Sequence, residues 1–200
     1  GEQVQGAEDR GPPDPRVPSP GIRHQIGSGE VPVTAGDQLH PSDVAIASGG
    51  TLRRLTHLNG QLDARVLGQP QKLPVISSYD QRPIDAWMIL PPDFDPTKKY
   101  PMILEIHGGP QAAYGPAFST DHQLYAADGY IVLYSNPRGS TSYGQAFTDL
   151  IEKDYPGHDY DDLMSAVDAA IATGHVDPNN LFVTGGSGGG VLTAWIVGKT

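Results

Sequence analysis

The segment Leu181-Phe182-Val183-Thr184-Gly185-Gly186-Ser187-Gly188-Gly189-Gly190 decides how the chain is read. Leu181 to Thr184 is a short apolar and β-branched run that suits a buried strand. The glycine-rich part that follows holds a serine with glycine two places before it and two places after it. Gly-x-Ser-x-Gly is the pattern of a nucleophile elbow, where a strand turns sharply into a helix and presents a serine oxygen at the apex. Glycine is required at both flanking positions because a side chain would collide inside the crowded turn. Val191-Leu192-Thr193-Ala194-Trp195-Ile196 then continues as a helix. The pattern predicts strand, turn and helix in that order, with Ser187 as the nucleophile of covalent acyl transfer.

In a glycine-rich chain one such motif is weak evidence, so its surroundings matter. Upstream, Met102-Ile103-Leu104-Glu105-Ile106 reads as a strand that ends where His107-Gly108-Gly109-Pro110 opens a loop. An α/β-hydrolase needs one backbone N–H from the loop after an early strand and another from the residue after the nucleophile, both aimed at the developing oxyanion. Gly109 and Gly188 are the expected donors, with His107 packing the loop. Between the two motifs the pattern alternates, with a helix over 119–127, a buried strand over 130–134 and helices over 143–151 and 160–173. Leu163, Met164, Val167, Ala170 and Ile171 fall on one face of the last helix. Asp159, Asp161 and Asp162 suit its positive start, and Gly174 suits its stop. Strands alternating with helices imply a mainly parallel sheet.

Nearer the N-terminus, two strands are expected around 73–77 and 84–90, separated by the polar turn Tyr79-Asp80-Gln81-Arg82 and followed by a proline-rich connector. A short hairpin is expected over 43–56, turning at Ser48-Gly49-Gly50. Residues 1–42 are rich in proline and glycine and hold no aromatic residue, so they read as an irregular or disordered leader. The division is therefore leader 1–42, hairpin segment 43–69 and α/β unit 70–200.

Composition removes several classes of function. The formal net charge is -10 and no basic patch stands out, which argues against nucleic-acid binding. The absence of cysteine removes disulfides, thiolate metal sites and cysteine nucleophiles. No apolar run reaches the length of a membrane span, and no signal peptide is visible, which leaves localisation unread. No cofactor and no metal are expected.

Three further stretches carry a family resemblance: Lys99-Tyr100-Pro101-Met102-Ile103-Leu104-Glu105-Ile106-His107-Gly108-Gly109-Pro110, Asn136-Pro137-Arg138-Gly139-Ser140-Thr141-Ser142-Tyr143-Gly144, and Val176-Asp177-Pro178-Asn179-Asn180 before the elbow. Together they resemble the prolyl oligopeptidase family of serine peptidases, nearest its acylaminoacyl-peptidase and dipeptidyl-peptidase branch. The resemblance implies a β-propeller followed by an α/β-hydrolase domain, and cleavage of short peptides by a Ser-Asp-His triad. It also implies that the hairpin, with Arg54-Leu55-Thr56 and Asn59, is the end of the last propeller blade. Arg138 and Tyr143 would lie on the active-site side of the sheet as substrate-facing groups.

The chain departs from the family in three places. The leader lacks the aromatic-bearing repeats of propeller blades. Gly188 stands where the family often has tyrosine. Nothing after Ser187 is Asp, Glu or His, whereas acid and base follow the nucleophile in this fold. His24, His40, His57, His107, His122, His158 and His175 all precede it, and most read as solvated. The expectation is a fragment that lacks its propeller and C-terminal half, with 181–184 as an exposed edge, no turnover of its own and poor solubility. Two other readings remain: a carboxylesterase of the same fold, and a hydrolase-like module that only binds.

Overall fold

The structure, a computed structural model, describes residues 29–200. Most of the expected leader, 1–28, lies outside them, but the described part is not irregular. β1 (Val31–Ala35) pairs antiparallel with β2 (Asp43–Ser48), which pairs with β3 (Thr51–Arg54). Proline content hid β1, yet Pro32 is tolerated because β1 is an edge strand, where a missing N–H costs no ladder bond. β2 and β3 are the expected hairpin.

A second, five-stranded sheet follows. It contains β4 (Pro70–Ile76), β5 (Pro83–Ile89), β6 (Tyr100–Ile106), β7 (Ile131–Asn136) and β8 (Val176–Gly185), in the order β4-β5-β7-β6-β8. The expectation of a mainly parallel sheet needs correction, because this sheet is mixed. β6 runs parallel to β7 and β8, while β4/β5 and β5/β7 are antiparallel. The short connection 77–82 permits only a hairpin, whereas the β6–β7 crossover has room for a helix.

That crossover helix is α1 (Thr120–Ala127), whose first turn is capped by the Ser119 hydroxyl accepting from the His122 N–H at 3.3 Å. α2 (Gln145–Thr148) runs into a tight 3₁₀ turn at 149–151, and α3 (Asp159–Ala172) and α4 (Gly188–Lys199) complete the described helices. Alternation along the strands sorts the core into two layers. Met102, Leu104 and Ile106 of β6 and Ile131 and Leu133 of β7 pack with Leu163, Ala166 and Ala170 of α3 and Leu192 and Ile196 of α4. Ile89, Val132 and Tyr134 face the other way, with Ala126 of α1.

The parallel strands β6, β7 and β8 end at one edge of the sheet, and β5 begins there, with Asp85 opposite Asn136. The loops 77–82, 107–119 and 137–144 and the elbow therefore gather at this edge, where open α/β sheets place their sites. β8 is the last strand of the described sheet, and its Leu181 and Phe182 are exposed. Among the described residues no helix is long and apolar enough to cross a membrane.

Candidate active site

β8 ends at Gly185 and α4 begins at Gly188, so Ser187 occupies the corner between them. Its φ is 55° and its ψ -117°. A non-glycine residue held there costs about 1–3 kcal/mol, a strain typical of functional turns. The serine is exposed, and its side chain makes no capping bond to the helix it precedes. The flanking glycines answer to contacts. A Cβ on Gly185 would stand 2.7 Å from the Ile106 carbonyl oxygen, and one on Gly189 would run into the same oxygen. Strand β6 thus passes so close beneath the turn that neither position admits a side chain.

The His107-Gly108-Gly109-Pro110 loop lies against this corner. A Cβ on Gly108 would be 3.1 Å from the Gly186 carbonyl oxygen and 3.4 Å from the Ser187 Cβ. The backbones of Gly109 and Gly188 are likewise in contact. As the opening residue of α4, Gly188 has an N–H that no carbonyl of its own helix reaches. The three residues singled out in the sequence, Ser187, Gly188 and Gly109, are brought together.

His107 braces the loop. Its Nδ1 lies 2.8 Å from the Gly108 carbonyl oxygen, so that nitrogen carries the proton and donates. Its Nε2 lies 3.0 Å from the Ser140 hydroxyl, which also lies 2.7 Å from the Pro137 carbonyl oxygen. Burial pushes the His107 pKa below the ordinary histidine value and favours the neutral ring. With both nitrogens engaged, His107 is not placed as a base for Ser187.

Arg138 and Tyr143 do not face substrate as expected. Arg138 is buried, with Nε and Nη2 donating to the Asp162 carboxylate at 2.9 and 2.8 Å. Nη2 also reaches Asp80 at 3.1 Å and the Ser77 hydroxyl at 3.1 Å. Burial would favour loss of its proton, but the Asp162 and Asp80 carboxylates outweigh this and hold its pKa above the usual arginine value. Tyr143 donates its hydroxyl to Asp85 at 2.8 Å and accepts from the Asn136 amide at 2.8 Å. Asn136 in turn holds both backbone groups of Tyr114, in the loop that follows His107. Both side chains brace loops because partners within the protein claim their polar atoms.

The acidic start of α3 also divides. Asp162 is buried against Arg138, and Asp159 is buried while accepting the Gly157 and Tyr160 N–H groups. Asp161 is partly solvated and paired with His158 at 2.7 Å. His122, expected to be solvated, is buried 3.2 Å from the Glu105 carboxylate and tilted against the rings of Tyr114 and Tyr134. Its position inside a helical pattern gave no sign of this. Among the described residues, no side chain hydrogen-bonds to the Ser187 hydroxyl, and no cluster of His, Asp and Glu could hold a metal ion.

A strained serine at a strand-to-helix corner, with a glycine loop from the neighbouring strand laid against it, defines an α/β-hydrolase site of the serine type. The sequence pattern of the prolyl oligopeptidase family matches residues 116–200. The chain is 41% identical over 185 residues to the uncharacterized peptidase YuxL of Bacillus subtilis (strain 168), covering 91% of this chain and 27% of that protein. Against dipeptidyl-peptidase 5 of Aspergillus fumigatus it is 42% identical over 119 residues, which cover 58% of this chain and 16% of that protein. Among solved structures, the Pyrococcus horikoshii acylaminoacyl peptidase superposes with a TM-score of 0.78 at 26% identity, over 86% of this chain and 28% of that one. The chain spans about a quarter or less of the length of these relatives.

Proposed function

We propose that the chain is the nucleophile-bearing part of a serine-type peptidase that cleaves short peptides through an acyl-enzyme on Ser187. The observation that carries this reading is the contact between Gly109 and Gly188 beside the strained serine. In the proposed reaction the Ser187 Oγ attacks the scissile carbonyl carbon. The carbonyl oxygen gains negative charge and is received by the N–H groups of Gly109 and Gly188. The hydroxyl proton passes to a base and then to the leaving amine, and water later releases the acyl group.

The serine hydroxyl stays protonated near neutral pH unless a base is hydrogen-bonded to it. Residues 188–200 contain no Asp, Glu or His, so the 200 residues by themselves are expected to hold the nucleophile and oxyanion donors without turning over peptide. We read residues 43–69, which include β2 and β3, as the end of a propeller blade, and 70–200 as the first part of the catalytic domain. The relatives named peptidases support a peptide substrate.

The test uses the full-length polypeptide that carries these residues. Fluorophosphonate labelling is expected at Ser187 and abolished by Ser187→Ala, with turnover of aminoacyl amides exceeding that of simple acyl esters. Preferred turnover of esters would make it a carboxylesterase, and absent labelling would make it a binding module.

A further inference from the structure

A side chain outside both sequence motifs hydrogen-bonds to the elbow. Tyr155 stands in the loop 152–158, between the 3₁₀ turn after α2 and the start of α3, and donates its hydroxyl to the Gly188 carbonyl oxygen at 2.7 Å. Its ring packs against the main hydrophobic core, and burial pushes its pKa up, so the phenol remains a donor. The loop itself is clamped. The Asp159 carboxylate accepts the Gly157 N–H at 2.7 Å, and Asp154 accepts the His158 N–H at 3.3 Å. Gly188 is therefore held on two sides: the Gly109–Pro110 backbone fills the space that a Cβ on it would need, and Tyr155 holds its carbonyl. α4 itself starts from the elbow through the bond from the Val191 N–H to the Ser187 carbonyl oxygen.

We propose that Tyr155 is a positioning residue of the acyl-transfer site, holding Gly188 by its carbonyl so that the N–H of the same residue points at the oxyanion. The proposal rests on the reading of Ser187 as nucleophile and Gly188 as oxyanion donor. A donor that drifts loses interaction with the transition state, where the charge develops, and little with bound substrate. Removing the phenol oxygen should therefore lower kcat and leave KM alone, which loss of packing would not do selectively.

The experiment compares the full-length polypeptide with its Tyr155→Phe variant, which keeps the ring and its packing. kcat and KM are measured on an aminoacyl amide, affinity is measured for a peptide boronic acid that forms a tetrahedral adduct on serine, and melting temperature is recorded. The expected result is a fall in kcat of about 10-fold, a matching fall in boronate affinity, and KM within about two-fold of the unmodified protein. Unchanged kcat and boronate affinity would overturn the proposal. So would a loss of kcat that comes with a lowered melting temperature and unchanged boronate affinity, since that marks a structural role only. Fluorophosphonate labelling of the unmodified protein separates the two levels. Failure to label Ser187 removes the underlying reading, whereas normal labelling in both proteins at one rate removes only the role of Tyr155.

Discussion

A Cβ placed on Gly188 would stand 2.9 Å from the carbonyl carbon of Gly109 and 3.0 Å from the nitrogen of Pro110. Both neighbours are backbone, so they cannot rotate aside as a flexible side chain would. The glycine after the nucleophile is thus a packing requirement of this loop geometry, and a larger residue there would need the loop to sit further from the elbow. Gly188→Ala is expected to push the Gly109 donor away and slow fluorophosphonate labelling of Ser187 about 10- to 100-fold in the full-length polypeptide. Gly186 serves as the control, because a Cβ there would meet nothing within 4 Å. If the alanine variants at 186 and 188 label at one rate, the contact has no bearing on the site.

The Arg138–Asp162 pair makes a second prediction. Arg138 is 3% and Asp162 0% exposed at the side chain, so removing the arginine leaves Asp162 as a buried charge without its partner. Arg138→Met is expected to destabilise the fold by about 3–5 kcal/mol in denaturant unfolding. The double variant Arg138→Met, Asp162→Leu is expected to lose less than the sum of the two single changes. It will not return fully, because the Arg138 N–H also donates to Asp162 at 2.8 Å and would lose that acceptor. Additive losses would show that the two groups do not act as a pair.

What was legible in the sequence was what local chemistry decides. The elbow announces itself because Gly185 and Gly189 have no room for a Cβ, and α3 because its apolar spacing and acidic start are contained in one segment. The burial of Arg138 was hidden because its partners, Asp80 and Asp162, lie 58 and 24 residues away. An arginine in a glycine-rich loop at the active edge looks the same whether it meets substrate or a buried carboxylate. Tyr155 was missed for a related reason, since a loop tyrosine belongs to no motif and its acceptor is a backbone carbonyl 33 residues on. The mixed sheet depended on which neighbour β5 takes in space, and β1 on a pairing that outweighs a proline-rich composition.

His107 links the oxyanion loop to acidity. Burial lowers its pKa in the fold, so the neutral ring is the native form. Stability from this group is present above the ordinary value of 6.5 and is lost as pH falls through the lowered value in the folded state. The melting temperature is expected to fall on acidification from pH about 8 to about 5, and more steeply than in His107→Gln, which cannot acquire the charge. Parallel curves for the two proteins would show that His107 does not titrate with unfolding.

Asp159 shifts in the opposite direction. Burial is the largest influence and raises its pKa, and the N–H groups of Gly157 and Tyr160 only partly oppose this, while Asp162 and Asp154 add repulsion. Its Oδ2 has no hydrogen-bond partner. A carboxyl with a raised pKa contributes stability fully below its unfolded value of 3.8, and that contribution is lost as pH rises through the folded value. At neutral pH the ionised group is thus a cost, offset by the two N–H bonds that shape the Tyr155 loop. Asp159→Asn keeps an acceptor oxygen for those bonds and removes the charge. The variant is expected to melt no lower than the unmodified protein at pH about 7, with its relative advantage shrinking toward pH about 4 as the native carboxyl takes up its proton. A difference that stays constant across that range would mean that Asp159 is ionised equally in the folded and unfolded chain, and that the buried carboxyl carries no electrostatic cost.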